Sequence, residues 1–128
     1  MSNTIGCYII LKDDFNNILI ERKGKKSDKT WKCIGRLKKG RETDEKCISN
    51  SVKEDLNTLV FDLENLDEIQ IDTNSDDIIK LYSGKIKEYI NLGKNVNEIS
   101  WINERTFENY LFSDIDKKIL LKYFKNIK

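Results

Sequence analysis

Residues 4–12 are almost continuously apolar and β-branched, the pattern of a strand buried on both faces. Residues 13–17 are rich in Asp and Asn, and apolar character returns at 18–22. The two runs predict a hairpin closed by a five-residue loop. A polar, basic loop at 24–29 leads to a short apolar patch at 31–34, read as a brief strand, and then to a loop at 35–42. Residues 43–56 carry the clearest helical signal. Thr43 is a good N-cap, Asp44 and Glu45 favour the helix dipole, and Asn57 suits the left-handed position after the last turn. Cys47, Ile48, Val52, Leu56 and Leu59 form the stripe to be buried. Asn50, Lys53, Glu54 and Asn57 form the opposite face, with Ser51 and Asp55 on its flank.

Beyond the helix, 66–72 alternates like a half-buried strand and 73–77 is a turn. Residues 78–90 are β-rich but interrupted at Ser83 and Gly84, and 91–97 is a loop. A strand at 98–102, a short helix at 106–111 and a terminal helix at 115–127 follow, the last with Ile115, Ile119, Leu120, Tyr123 and Ile127 on one face. Strands alternate with helices through short connections, without repeats or linkers. The expectation is one mixed α/β domain over residues 1–128.

Composition narrows the chemistry. Eighteen isoleucines and twelve leucines supply the core, and the chain has no histidine, proline or alanine. Without histidine, Ser-His-Asp and Cys-His nucleophilic sites and His-ligated metals are excluded. Carboxylates must carry any hydrolytic chemistry, and carboxylate ligands suit Mg²⁺ or Mn²⁺. Cys7, Cys33 and Cys47 lack metal-ligand spacing and read as reduced core residues. The N-terminal residues lack a basic and apolar leader, and no apolar run approaches a membrane span, so a soluble cytoplasmic protein is expected.

The formal net charge of +1 hides an asymmetry. Residues 22–41 hold ten Lys or Arg against one acid, whereas residues 42–77 hold twelve acids against two lysines. Such a pair of segments is either a solvated loop beside a solvated face, or a cationic rim for a polyanion next to an acidic pocket for a metal.

The stretch from Trp31 to Asn57 resembles the loop-helix-loop signature of the Nudix hydrolases, G-x5-E-x7-R-E-U-x-E-E-x-G-U with U a bulky apolar residue. Gly35 matches the glycine just before the box, Arg36 falls on its first glycine, and Glu42 matches the first glutamate. Asn50 and Ser51 occupy the R-E pair, Val52 the apolar position, and Glu54 and Asp55 the E-E pair. Asn57 and Thr58 take the last two positions. The segment 18–22, ending in Arg22, and the Glu98 to Ile102 segment are similar to further Nudix strands. The resemblance implies a Nudix-like α/β/α sandwich with a mixed β-sheet, and a box that has lost its arginine, one glutamate and two glycines.

That resemblance implies a pyrophosphohydrolase acting on a nucleoside diphosphate linked to another moiety, by metal-assisted attack of water on phosphorus. In the family the box carboxylates at i, i+3 and i+4 share one helical face aimed at the metals. Here those positions are Ser51, Glu54 and Asp55. The implied metal set for Mg²⁺ or Mn²⁺ is Glu54, Asp55, Glu98 and the Gly35 carbonyl, with Glu54 and Glu98 as catalytic residues. In the family Glu42 pairs with the box arginine. Asn50 makes no such ion pair, which leaves Glu42 to a nearby lysine, backbone N–H groups or water.

Arg22, Lys38, Lys39 and Arg41 are the candidate substrate cations, and Tyr8, Trp31 and Tyr82 are either stacking surfaces or core. A divergent, slow hydrolase is the leading expectation. The alternative is a catalytically silent Nudix-fold module that binds a nucleotide, an RNA end or a protein partner. A homodimer is compatible with both.

Overall fold

The computed structural model describes residues 3–71, 74–86 and 90–127. The expected strand end at 72, the turn start at 73 and the stretch 87–89 lie outside the described residues, as does the side chain of Ile127. The elements are β1 (Asn3–Leu11), β2 (Ile18–Lys23), β3 (Ile34–Leu37), α1 (Asp44–Leu56), β4 (Val60–Gln70), β5 (Asp77–Ile86), β6 (Val96–Ile102), a 3₁₀ turn (Phe107–Asn109) and α2 (Asp114–Lys122), which ends in a π-helical turn (Tyr123–Ile127).

The fold is a mixed α/β sandwich. Four strands form one sheet in the order β3-β1-β5-β4, with β1 and β5 parallel and the other pairs antiparallel. β2 and β6 form a separate antiparallel pair. The continuous apolar run in β1 is explained by its place inside the sheet. Cys7, Ile9 and Leu11 enter the core under α1 with Ile48, Val52 and Leu56, while Ile10 enters the core under α2 with Ile119 and Leu120. β2 splits in the same way, Leu19 toward α1 and Ile18 and Ile20 toward α2. All three cysteines are free and buried. Among the described residues, no helix is long and apolar enough to cross a membrane.

Several expectations need correction. The β1–β2 hairpin closes only at its mouth, where Lys12 bridges Ile18 and the Asp13 side chain accepts from the Phe15 and Asn17 amides at 2.8 Å each. The strands then part into different sheets because each finds a longer partner elsewhere. The strand expected at 31–34 is shifted: Trp31 and Lys32 make isolated bridges, and β3 runs into the stretch read as loop. β4 starts at Val60, well before 66, because two register shifts against β5 break the alternation that marks a strand. β5 runs through Ser83 and Gly84 without interruption.

α1 is capped as expected. The Thr43 side chain accepts from the Lys46 amide at 3.2 Å, and Asn57 adopts φ 52° with its N–H on the Lys53 carbonyl. Stopping the helix there leaves Leu59 exposed, off the predicted stripe. Ser51 and Asp55, expected on the polar flank, are buried instead.

Candidate functional site

A cleft of about 280 Å³ opens between β1, the end of β2, β3 and the start of α2. Tyr8 and Gly35 line it, with the cations Lys23, Lys32 and Arg36, and Asp116 from α2. Gly35 sits at φ 143°, and a Cβ there would lie 2.5 Å from the Cys7 carbonyl. Glycine at this position therefore lets β3 lie directly on β1 and brings Arg36 to the edge of the cleft. Asp116 fixes the far wall: it accepts from the Cys33 amide at 3.0 Å and from the Ser113 hydroxyl, and burial raises its pKa.

Residues Glu21 and Lys23 share a face of β2 by the period-two rule, on the side that Leu19 presents to α1. The Lys23 Nζ stands 3.1 Å from Asp55 Oδ2 and 3.7 Å from Glu21 Oε2. Glu21 is fully buried, and neither carboxylate oxygen has a hydrogen-bond partner. Burial first, and then the neighbouring Asp55 carboxylate, push its pKa up to about 9, above the ordinary carboxylate range. The backbone around Asp55 is fixed from below: the Gly93 amide donates to the Asp55 carbonyl at 2.8 Å and the Asn91 amide to the Leu56 carbonyl at 2.9 Å. A Cβ at Gly93 would collide with the Glu54 carbonyl.

Arg36 forms the second ion-pair centre. Its guanidinium pairs bidentately with Glu42, and its Nε lies 3.7 Å from Glu54 Oε2. Glu42 also accepts from the Lys39 amide at 2.7 Å and from Asn50 Nδ2 at 2.8 Å. Arg36 first, then these two donors, hold Glu42 well below the ordinary carboxylate range. The Ser51 hydroxyl donates to the Cys47 carbonyl at 2.8 Å and is 2% exposed, which makes it a buried helix-bonded residue.

The other expected site residues lie around this core. Arg22 pairs across the strands with Glu98 at 3.0 Å and donates to the Lys26 and Asp28 carbonyls, so it braces the basic loop. Lys38 pairs with Asp44, Lys39 lies 4.0 Å from Glu54, and Arg41 is exposed in a turn. Of the three aromatic candidates, Tyr8 lines the cleft, Trp31 packs edge-on against Tyr110 and Tyr82 is buried under α1.

The structure brings Glu54 and Asp55 to adjoining ion pairs and leaves Glu98 with Arg22. Among the described residues, no three Asp, Glu or Cys side chains gather into a group that could hold a metal. The expected set of Gly35, Glu54, Asp55 and Glu98 therefore does not fit a divalent ion. Each of its carboxylates already faces a Lys or Arg, and Lys23 stands beside Asp55. A further positive charge about 4 Å from that ammonium would meet a repulsion of roughly 4 kcal/mol per unit charge at a surface-like dielectric.

Sequence reasoning missed Glu21, Lys32 and Asp116 as site residues, and treated Arg36 as a lost glycine. One signal was present: an acid on the same strand face as Leu19 and next to Lys23 on that face.

No protein-family model and no curated protein matches the chain. Solved structures do. A MutT protein from Methanosarcina mazei superposes with TM-score 0.72 at 14% identity over 99% of this chain and 98% of its own. A MutT Nudix hydrolase from Burkholderia pseudomallei gives 0.70 at 14% identity over 94% and 98%. The Nudix domain of Shewanella oneidensis NrtR, solved with ADP-ribose, gives 0.73 at 10% identity over 100% and 90%. The chain has the Nudix fold. On that fold, two box-register residues, Gly35 and Arg36, line the cleft with Lys23 from β2, and Glu42, Glu54 and Asp55 are the ion-pair partners of those two cations.

Proposed function

We propose that this Nudix-fold chain binds the diphosphate of a nucleotide derivative and has given up rapid hydrolysis. The observation that carries the reading is the convergence of Lys23, Lys32 and Arg36 on one cleft next to box carboxylates that are already ion-paired. Cations in a partly enclosed cleft attract phosphates, and Tyr8 offers a ring face there. The Shewanella Nudix domain with ADP-ribose supports the ligand class. The exposed Lys39 and Arg41 add positive charge in the loop after β3, which attracts an anion, and a phosphorylated RNA end offers the same chemistry.

Slow hydrolysis with Mg²⁺ or Mn²⁺ is the second reading. It is favoured by Glu54, whose side chain is 52% exposed and whose cationic neighbours stand at 3.7 and 4.0 Å. It would need Asp55 released from Lys23 and Glu98 released from Arg22. The test is a panel of nucleoside diphosphates and triphosphates, ADP-ribose, dinucleotides and capped RNA with either metal, scored for binding and for phosphate release. Binding without turnover is expected. Rapid turnover would overturn the binding-module reading in favour of the hydrolase.

A further inference from the structure

The carboxylates that would be spare for a metal are arranged around an amine. Lys23 leaves β2 just after a register shift against β6, at the Arg22/Lys23 step, and reaches Asp55 on α1 and Glu21 on its own strand. Its side chain is 25% exposed and lines the cleft, so it is held from behind by Asp55 and open in front. The ammonium has three N–H donors and Asp55 takes one. Arg36 is likewise fixed by acids: Glu42 holds its two terminal nitrogens and Glu54 faces its buried Nε at 3.7 Å. Each cation is thus anchored at the cleft by an acid, and Lys32 adds a third charge on the same wall.

Resting on the binding reading above, we propose that Lys23 serves as a built-in cation, so that the cleft takes the phosphates of a nucleoside diphosphate derivative on Lys23, Arg36 and Lys32 with no divalent ion. The arrangement is preorganised. Asp55 holds the Lys23 ammonium in place before the ligand arrives, which lowers the entropy cost of engaging a flexible side chain. Removing the amine should then expose Asp55 and Glu21 to a metal.

Calorimetry with ADP-ribose and with ADP, in EDTA and in Mg²⁺, tests this on wild type, Lys23→Met and Lys23→Arg. Wild type is expected to bind equally in both buffers. Losing a charge-assisted contact should weaken Lys23→Met in EDTA by about tenfold or more, and Lys23→Arg should keep most of the affinity. In Lys23→Met, Mg²⁺ should restore part of the loss. Wild-type binding only with Mg²⁺ would overturn the built-in cation and leave the nucleotide-binding reading standing, as would Lys23→Met binding like wild type in EDTA. No binding of any probe in either buffer would overturn both. The wild-type comparison decides the metal question even if a variant folds poorly.

Discussion

Arg36 grips Glu42 with two parallel hydrogen bonds, Nη1 to Oε1 at 2.8 Å and Nη2 to Oε2 at 2.9 Å. In the box register, the cation for this glutamate belongs on α1 at the position of Asn50, and Asn50 instead donates a further hydrogen bond to the same carboxylate. The ion pair has therefore survived with its cation moved onto β3, so it ties the loop to the sheet while Asn50 keeps the tie to the helix. A planar guanidinium on a carboxylate suits this exchange, because the bidentate geometry fixes the loop as firmly from one side as from the other.

The relocated pair predicts strong coupling between the two residues. Arg36→Gln and Glu42→Gln should each lower the melting temperature, and the double variant should lose less than the sum. Thermal unfolding of the four proteins measures this. Strict additivity would show that the loop is held by other contacts. Glu42 also gives the pair an acid sensitivity. Its folded pKa is depressed, so its stabilisation is present above the unfolded value near 4.5 and is lost as pH falls toward the lower folded value.

Glu21 predicts the opposite pH dependence. Its folded pKa is raised, so between the ordinary value of 4.5 and the higher folded value the native state keeps a proton that the unfolded chain releases. Stability from this group therefore falls as pH rises through that window. Glu21→Gln removes the titration while keeping the shape. Its melting temperature should gain on wild type progressively from pH 5 to pH 9 and show no such gain at pH 4. A gap independent of pH would mean that Glu21 is ionised in the fold.

Gly93→Ala tests the support beneath the site. The new methyl would press on the Glu54 carbonyl, and relief requires the loop before β6 to move off the end of α1. Overpacking of this kind typically costs about 1–3 kcal/mol. Urea unfolding should register that loss, together with weaker nucleotide binding because Asp55 and Lys23 shift. Full stability would show that the loop yields freely.

The fold was largely legible because α1 and β1 carry complete local signals. Thr43 and Asn57 mark both ends of the helix, and β1 is apolar on both faces because both cores touch it. β3 was hidden because its strand character comes from Gly35 lying against β1, a tertiary fact in a stretch of Gly, Arg and Lys. The site was half legible. The register of Glu42, Glu54 and Asp55 could be read off the chain, whereas the approach of Lys23 to Asp55 joins residues 32 positions apart on different elements. Arg36 shows the same limit: it looked like a missing glycine, and its partner became visible only when the loop folded back.

These placements change what is needed to rebuild a hydrolase. Ser51→Glu with Asn50→Arg restores the box on paper, but the new arginine would compete with Arg36 for Glu42, and Lys23 would still hold Asp55. Adding Arg36→Gly frees Glu54 and clears space beside Cys47 and Glu54, which lie one helical turn either side of position 51. Adding Lys23→Met frees Asp55. The quadruple variant then presents three carboxylates on one helical face with neither Arg36 nor Lys23 against them. It is expected to release phosphate from a nucleoside diphosphate derivative only with Mg²⁺ or Mn²⁺, at least roughly 10²-fold faster than wild type, the scale of one preorganised electrostatic contact. The double variant should show no gain. Phosphate release measured with and without EDTA, on protein confirmed folded by circular dichroism, separates the cases. Equal activity in the double and quadruple variants would show that Lys23 and Arg36 are no obstacle, and that the missing glutamate alone silences the box.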